Sequence, residues 1–301
     1  MAQHSPEQQT LGGAASTTPI AGIGLLVLAL LGFSLLDATA KYLSASLPVL
    51  QIAWMRFVTH VILTLIFFQI WKAPSLFKTK RPFLQIIRAL CLLGITIFNF
   101  LAVRYLQLAE TTSIMFAAPF VITALAGPML GEWAGLRRWV AIVVGFAGVL
   151  VVTQPGMGGM HWAVIYSVIA MIFFAVYALL TRQLTATESS AGMLIISGVV
   201  ASVAMAPAGL SVWVMPEDVW TWVLLFALGA FGAGGHFLFI LAHRVAPAPV
   251  LAPFNYTQII WMIALGYFIF ADVPTLTTLV GAAIVISSGL YILYRERVRG
   301  I

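Results

Sequence analysis

Charged residues are the scarcest class in this sequence. Asp, Glu, Lys and Arg together make up 8% of the 301 residues, whereas 62% of the residues are hydrophobic. A water-soluble protein of this length needs far more charge to keep its surface wet, so most of this surface must face lipid. The composition therefore excludes an ordinary soluble domain and makes the lipid bilayer the first partner of the chain.

Cysteine and the motifs of membrane-embedded enzymes are also lacking. The single cysteine, Cys91, lies in an apolar run, so no internal disulfide can form. The chain contains no HExxH, no GxSxG, no Walker-type GxxxxGK[ST] and no His/Cys cluster with metal-ligand spacing. These absences argue against an enzyme, a bound metal and a cofactor, and ATP-driven transport would need a partner subunit.

Lysine and arginine are missing from the first nineteen positions. A signal peptide needs a positively charged start, so this polar stretch is predicted to be a disordered tail. Elsewhere the net charge of +6 could suggest a nucleic-acid partner. The basic residues are scattered between apolar runs rather than forming one stripe, which argues against nucleic acid and for a role in membrane topology.

Long apolar runs fill the rest of the chain. A membrane-spanning helix needs about 20 residues, so 301 residues can hold roughly ten helices and no separate folded domain. The sequence predicts an all-α integral membrane protein with ten transmembrane helices. The ten runs lie near 21–43, 49–71, 83–104, 109–130, 138–154, 161–182, 191–213, 219–241, 248–271 and 275–294.

Lysine and arginine mark one side of the membrane. Alternate loops and the C-terminal tail hold most of them, namely Lys72, Lys78, Lys80, Arg81, Arg137, Arg138, Arg182, Arg244, Arg295, Arg297 and Arg299. The loops on the opposite side hold only Lys41 and Arg104. Because cytoplasmic loops are enriched in basic residues, a multi-pass protein of the bacterial inner membrane with both termini in the cytoplasm is predicted.

The two halves of the chain resemble each other at an offset of about 140 residues. Residues 33–41 (FSLLDATAK) align with 174–182 (FAVYALLTR), and Glu132 aligns with Asp272. Five spans is an odd number, so the second copy would be inserted upside down relative to the first. Inverted repeats are a recurrent design of alternating-access carriers. The alternative is that apolar helices resemble each other by composition alone.

The repeat gives the predicted domain organisation. A cytoplasmic tail at 1–19 precedes a first five-helix repeat at 20–154. A second repeat at 155–296 is followed by a short cytoplasmic tail at 297–301.

Ionisable residues within the spans are candidate functional groups, because a charge in hydrocarbon normally faces a cavity or a partner. Asp37 and Lys41 are spaced i,i+4 on the first span, so Asp37 could neutralise Lys41, bind a cation or take a proton. Arg56 keeps its proton and could bind a substrate carboxylate or phosphate, or join two helices through a partner such as Asp37. His60, one turn beyond Arg56, is a helix contact or a ligand.

Further polar residues lie at different depths. Arg88 is one turn into the third span, where it is predicted to snorkel to the interface. Asn99 is deeper and is predicted to form an interhelical hydrogen bond or to line a cavity. His236 follows a patch of small residues that permits close helix approach, so it is either buried at a contact or faces the cavity.

Glu132 and Asp272 end their helices at opposite membrane faces. They are predicted to accept hydrogen bonds from the start of the following helix, with gating as the alternative. Pro119 and Pro253 fall inside spans four and nine, where each is predicted to bend its helix and to serve in gating.

Aromatic residues deep in the spans could stack on a flat substrate, although core packing suits each of them as well. These residues are Trp54, Tyr166, Tyr177, Tyr256 and Trp261.

Several stretches carry a resemblance to a known family. In the first half they are 37–41 (DATAK), Arg56, Arg88, 98–100 (FNF), 118–120 (APF) and 131–132 (GE); in the second half they are 252–258 (APFNYTQ), 270–274 (FADVP) and Gly281. On these residues the chain resembles the drug/metabolite transporter superfamily, specifically proteins with two EamA-type repeats. Asp272 stands where the family usually has Glu.

The resemblance implies two inverted five-helix EamA repeats around a central cavity and transport without ATP hydrolysis. The predicted substrate-binding residues are Asp37, Arg56, His60, Asn99, Tyr177, His236, Asn255, Tyr256 and Trp261. The expected partner is a small organic molecule, and no cofactor is implied. The opening Asp-x-x-x-Lys followed by Arg56 is similar to proteobacterial riboflavin importers, which predicts uptake of riboflavin or a similar aromatic vitamin. Export of amino acids or related metabolites is the alternative transport function. A membrane-embedded enzyme or a scaffold is the alternative from another class. The oligomeric state, monomer or homo-oligomer, is left open.

Overall fold

The described part of the chain is helical throughout its regular elements. The computed structural model describes residues 19–69, 72, 78–130, 136–154, 161–184, 187–246 and 252–299. A 3-10 helix spans Ala252–Thr257. The α-helices are α1 (Pro19–Leu43), α2 (Val49–Phe67), α3 (Pro82–Tyr105), α4 (Leu108–Met115), α5 (Ala118–Leu130), α6 (Leu136–Thr153), α7 (Val164–Leu184), α8 (Ser190–Ser211), α9 (Val219–Val245), α10 (Gln258–Phe270) and α11 (Leu276–Arg299).

Six of these helices are long and apolar enough to cross a membrane, namely α1, α2, α3, α7, α8 and α9. Four shorter apolar helical stretches coincide with the predicted spans four, five, nine and ten; they are Leu108–Ile122, Ile142–Thr153, Phe254–Phe270 and Leu276–Tyr291. The chain is therefore a multi-pass membrane protein, while the total of ten spans stays a prediction.

Spans four and nine are broken, which differs from the predicted bent but continuous helices. The fourth divides into α4 and α5 at Phe116 and Ala117, where the Ala117 N–H donates to the Ile114 carbonyl at 3.0 Å in a tighter 3-10 turn. Pro119 is the second residue of α5, where its missing N–H breaks no helical hydrogen bond. Pro253 lies in the 3-10 helix that precedes α10. Each proline therefore stands at a joint between two helical segments.

Glycine permits the closest helix contacts. Helices pack in the pairs α1 with α9, α2 with α8, α3 with α7 and α6 with α11. A Cβ on Gly281 of α11 would lie 2.6 Å from the carbonyl oxygen of Gly148 on α6, so only glycine allows these backbones to meet. Gly32 of α1 similarly faces Gly235 of α9. The small-residue patch before His236 is thus a close helix contact, as predicted.

Polar contacts between segments far apart in the sequence lie at each end of the bundle. At one end the Gln51 side-chain amide donates to the Val214 carbonyl at 2.7 Å, and the Val214 N–H donates to Gln51 Oε1 at 2.8 Å. At the other end Glu188 accepts hydrogen bonds from the backbone N–H groups of Lys80 (2.9 Å) and Arg81 (3.1 Å). Desolvation raises the pKa of Glu188, but these hydrogen bonds outweigh it and hold the pKa below its usual value. The loops before α3 and α8 therefore lie at the same end.

Candidate functional site

A cavity of about 360 Å³ lies in the middle of the bundle, with walls from both halves of the chain. Seven of the nine predicted substrate-binding residues line it: Asp37, Arg56, Asn99, Tyr177, His236, Asn255 and Tyr256. Pro119 also lies in its wall. The structure thus brings together side chains from α1, α2, α3, α7 and α9 and from the break before α10. A cavity of this size can enclose a ligand of several hundred daltons.

Two predicted binding residues lie outside the cavity wall. His60 is 2% exposed and packs against Gly198 of α8, where a Cβ would lie 3.0 Å from the imidazole ring. Trp261 packs beside Leu26 and Leu30 of α1. Neither residue is among those that line the cavity, so a packing role fits both better than substrate binding. The hydrogen bond expected for His60 is not found among the described residues, where its two ring nitrogens have no partner.

Asp37 and Lys41 do not pair with each other, so the predicted neutralisation of Lys41 by Asp37 is wrong. Asp37 Oδ1 accepts a hydrogen bond from Asn99 Nδ2 at 2.9 Å. Lys41 Nζ instead donates to Asp272 Oδ2 at 2.5 Å and to the Leu106 carbonyl at 3.1 Å. Lys41 lies in the last turn of α1, so its long side chain reaches the ends of neighbouring helices. Asp37 is left in the cavity with an amide as its partner.

The Lys41–Asp272 ion pair joins the end of α1 to the segment between α10 and α11. Lys41 Nζ also lies 4.7 Å from the centre of the Phe270 ring, and both charged side chains are largely shielded from solvent. The prediction that Asp272 caps the following helix is wrong, because Thr275 accepts the hydrogen bond from the Thr278 N–H at 3.2 Å. Glu132, its predicted counterpart, lies outside the described residues.

The ion pair leads to a prediction about stability. Lys41→Gln and Asp272→Asn should each lower the free energy of unfolding by about 1–3 kcal/mol, because each leaves a half-buried charge without its partner. The double variant should lose less than the sum of the two losses. Thermal unfolding of the four proteins in one detergent measures this coupling. Strictly additive losses would show that the pair contributes no net stability.

Arg56 is almost fully buried, at 3% exposed, and faces the cavity. Its guanidinium carbon lies 4.5 Å from the centre of the Phe57 ring. In the described part of the chain its Nε and Nη1 atoms have no hydrogen-bond partner, and no ion pair within 4 Å joins Arg56 to Asp37. The predicted direct link between two helices through Asp37 is thus not made. A buried cation with uncommitted donors suits an anionic ligand group.

Arg88 does not snorkel to the interface. It is 5% exposed and donates from Nε to Thr181 Oγ1 (2.7 Å), from Nη1 to Ser197 Oγ (2.7 Å) and from Nη2 to the Tyr177 hydroxyl (2.8 Å). Nη1 also donates to the Met193 carbonyl at 3.2 Å. Oxygen atoms from α7 and α8 replace water around this guanidinium, which is why it can stay buried.

Aromatic rings form much of the remaining wall. Phe33 packs edge-on against His236 with ring centres 4.9 Å apart, and Phe116 packs edge-on against Tyr256 at 5.1 Å. The Tyr256 hydroxyl lies against Gly289 of α11 at a position that a Cβ would occupy. Such rings could stack on a planar ligand.

Several lining residues were not predicted from the sequence. They are mostly uncharged, and include Phe33, Thr96, Phe100, Thr112, Phe116, Phe174 and Gln258. A usable signal exists for Thr96, which lies one helical turn before Asn99 and therefore shares its face of α3. The phenylalanines carry no such signal, because an aromatic residue is as common on a lipid-facing side.

The EamA-like transporter family matches residues 20–154 and again residues 161–294. The chain belongs to this family. It is therefore a transporter rather than an enzyme, and the resemblance to EamA-type proteins is confirmed. A solved crystal structure with 15% sequence identity superposes with a TM-score of 0.61, covering 94% of this chain and 97% of the other, and likewise supports the fold.

The sequence similarity of this EamA protein to several named transporters covers nearly its whole length. An S-adenosylmethionine uptake transporter of Rickettsia bellii is 32% identical, covering 92% of this chain and 94% of its own. A riboflavin transporter of Vibrio cholerae is 24% identical, covering 91% and 93%. A pseudopaline exporter of Pseudomonas aeruginosa is 23% identical, covering 88% and 93%. Transport of a small organic molecule is common to all three names.

Proposed function

We propose that this protein takes up S-adenosylmethionine, or a closely similar zwitterionic nucleoside, across the bacterial inner membrane. The observation that carries the proposal is that Asp37 and Arg56 line one cavity with opposite charges and make no ion pair with each other. S-adenosylmethionine carries an ammonium and a sulfonium that suit Asp37 and a carboxylate that suits Arg56. The stronger similarity to the S-adenosylmethionine uptake transporters supports the same choice.

The aromatic part of the ligand also has a counterpart. The adenine ring of this substrate is planar, and Phe33, Phe116 and Tyr256 lie in the cavity wall. Stacking on such rings would hold the base while the charged groups are held elsewhere. A volume of about 360 Å³ is consistent with a substrate of this size.

Alternating access between two inverted repeats, 20–154 and 155–296, is the proposed mechanism, with both terminal tails in the cytoplasm. The packing of the two repeats can be compared by replacing each predicted span with its counterpart in the other repeat. This replaces α1 with α7 and α9 with α3, so the α1–α9 contact becomes the α7–α3 contact, and both contacts are present. The same exchange leaves the α2–α8, α4–α10 and α6–α11 contacts unchanged. A packing pattern that survives this exchange supports two related halves that can swap conformations. The joints at Pro119 and Pro253 are the proposed hinges for gating.

Riboflavin is a second candidate substrate, favoured by the similarity to riboflavin transporters and by the aromatic wall. Riboflavin is uncharged at neutral pH, so it gives neither Asp37 nor Arg56 an ionic partner. The two candidates therefore differ in their dependence on charge.

Uptake into proteoliposomes tests this function. Vesicles holding the purified protein should accumulate labelled S-adenosylmethionine with saturation, and excess unlabelled S-adenosylmethionine should compete while riboflavin should not. Protein-free vesicles are the control. Uptake of labelled riboflavin without uptake of S-adenosylmethionine would reject the proposal in favour of the second candidate, and uptake of neither would reject both.

A further inference from the structure

Tyr177 stands between a buried arginine and the cavity. Its side chain lines the cavity wall, whereas Arg88 does not reach that wall. Arg88 Nη2 donates to the Tyr177 hydroxyl oxygen at 2.8 Å, and the Arg88 guanidinium carbon lies 4.6 Å from the centre of the same ring. Anything that orients Arg88 therefore also orients the hydroxyl group of Tyr177.

Arg88 itself is held from three directions. Thr181 and Ser197 donate their own hydroxyl hydrogens to carbonyls one turn back, at Tyr177 and Met193, each at 2.7 Å. Their oxygen lone pairs are thus available to accept from Arg88, which they do at 2.7 Å each. Because every one of these contacts has a defined donor, the guanidinium has one preferred orientation.

The Tyr177 oxygen accepts from a cation, so its hydroxyl hydrogen remains to be donated. Among the described residues no acceptor receives it, and Tyr177 is one of the residues that line the cavity. A hydroxyl that accepts a charge-assisted hydrogen bond is polarised and becomes a stronger donor. A ligand oxygen in the cavity is the acceptor that this arrangement suits.

We propose that Arg88 is a positioning residue that holds Tyr177 as a hydrogen-bond donor, and that Tyr177 and Arg56 together receive the carboxylate of the substrate. Tyr177 and Arg56 line the same cavity, and no carboxylate among the described residues forms an ion pair with Arg56. The inference rests on the proposed function in one respect: the substrate must carry a carboxylate.

The test compares two ligands that differ only in that group. Labelled S-adenosylmethionine uptake into proteoliposomes is inhibited either by unlabelled S-adenosylmethionine or by its decarboxylated analogue. Tyr177→Phe should raise KM for S-adenosylmethionine by about 10- to 100-fold, since it removes a hydrogen bond to a charged group. The inhibition constant of the decarboxylated analogue should change less than about threefold, because that ligand never makes the bond.

Arg88 is tested through the same ratio. Discrimination is the inhibition constant of the decarboxylated analogue divided by KM for S-adenosylmethionine. Arg88→Gln should lower this ratio as Tyr177→Phe does, and the double variant should lower it no further than the more affected single variant, since both residues act through one hydroxyl. Arg88→Lys, which keeps a charged donor, should retain part of the wild-type discrimination. A purely structural role for Arg88 would lower the maximal rate and the yield of folded protein while leaving the ratio unchanged.

Arg104 and Tyr105 supply the matched control. They lie on the same helix as Arg88, with the guanidinium carbon 5.6 Å from the ring centre, and both are exposed outside the cavity. Arg104→Gln and Tyr105→Phe should leave both constants at the wild-type values. If Arg88→Gln fails to fold, Tyr177→Phe decides alone, since it keeps the other three hydrogen bonds of Arg88.

Two failures are distinguishable. Wild-type vesicles that take up no S-adenosylmethionine would overturn the proposed function and this inference with it. Wild-type uptake combined with unchanged discrimination in Tyr177→Phe would overturn this inference alone.

Discussion

Asp37→Asn is expected to reduce S-adenosylmethionine uptake at least about 30-fold, and Arg56→Gln should have an effect of similar size. Leaving one member of a buried charge pair without its partner costs about 2–5 kcal/mol, and about 2 kcal/mol already corresponds to that factor. Asp37 would lose its attraction for the cationic part of the substrate, and Arg56 for the carboxylate. Both side chains lie in the cavity wall, and Arg56 is only 3% exposed, so solvent screens its charge weakly.

The measurement is initial uptake per amount of folded protein, with folding judged by a monodisperse gel-filtration peak in detergent. Asp218→Asn is the matched control, because Asp218 is exposed and caps the start of α9 by accepting from the Thr221 N–H at 2.7 Å. It should keep wild-type uptake. Asp37 and Arg56 variants that fold and transport normally would remove them from the pathway, whereas variants that never accumulate would assign them a structural role instead.

Gly229→Ala is expected to destabilise the protein strongly. Gly229 of α9 faces α2, where an added methyl group would overlap the Thr59 hydroxyl and lie 2.6 Å from the backbone nitrogen of His60. Backbone atoms of a packed helix cannot move aside without separating the two helices. Overpacking of this kind costs about 1–3 kcal/mol in well-packed cores, and the backbone contact places this site at the upper end.

Gly234→Ala supplies the opposite result on the same helix. Nothing lies within 4 Å of a Cβ built on Gly234, so the methyl group meets open space. Alanine favours a helix over glycine by about 1 kcal/mol, so this variant should be as stable as the wild type or slightly more so. The two single-methyl variants are compared by thermal unfolding in one detergent. Equal unfolding temperatures would contradict the close contact between α2 and α9.

The intramembrane polar residues illustrate how far sequence reasoning reaches. A charged or strongly polar side chain in hydrocarbon needs a cavity or a partner, so Asp37, Arg56 and Asn99 could be singled out by depth alone, and all three line the cavity. Depth does not identify the partner. The i,i+4 spacing of Asp37 with Lys41 describes neighbours on one helix, whereas Lys41 reached Asp272, 231 positions away.

Arg88 is a second residue whose partners the sequence does not identify. One turn into a helix is shallow enough to snorkel when lipid or water surrounds that turn. The turn instead packs against α7 and α8, whose hydroxyls and carbonyl surround the guanidinium. Nothing in the local sequence near Arg88 indicates that Thr181 and Ser197 lie beside it.

The amino-acid sequence by itself determined the helical membrane class, the apolar runs, the family and seven of the polar residues that line the central cavity. These follow from composition, local periodicity and the cost of placing charge in lipid, which act on each segment separately. Only the tertiary structure decided which charges pair, where spans four and nine break, and that Tyr177 connects Arg88 to the cavity. Those outcomes depend on which helix faces lie against each other, and such contacts join residues far apart along the chain.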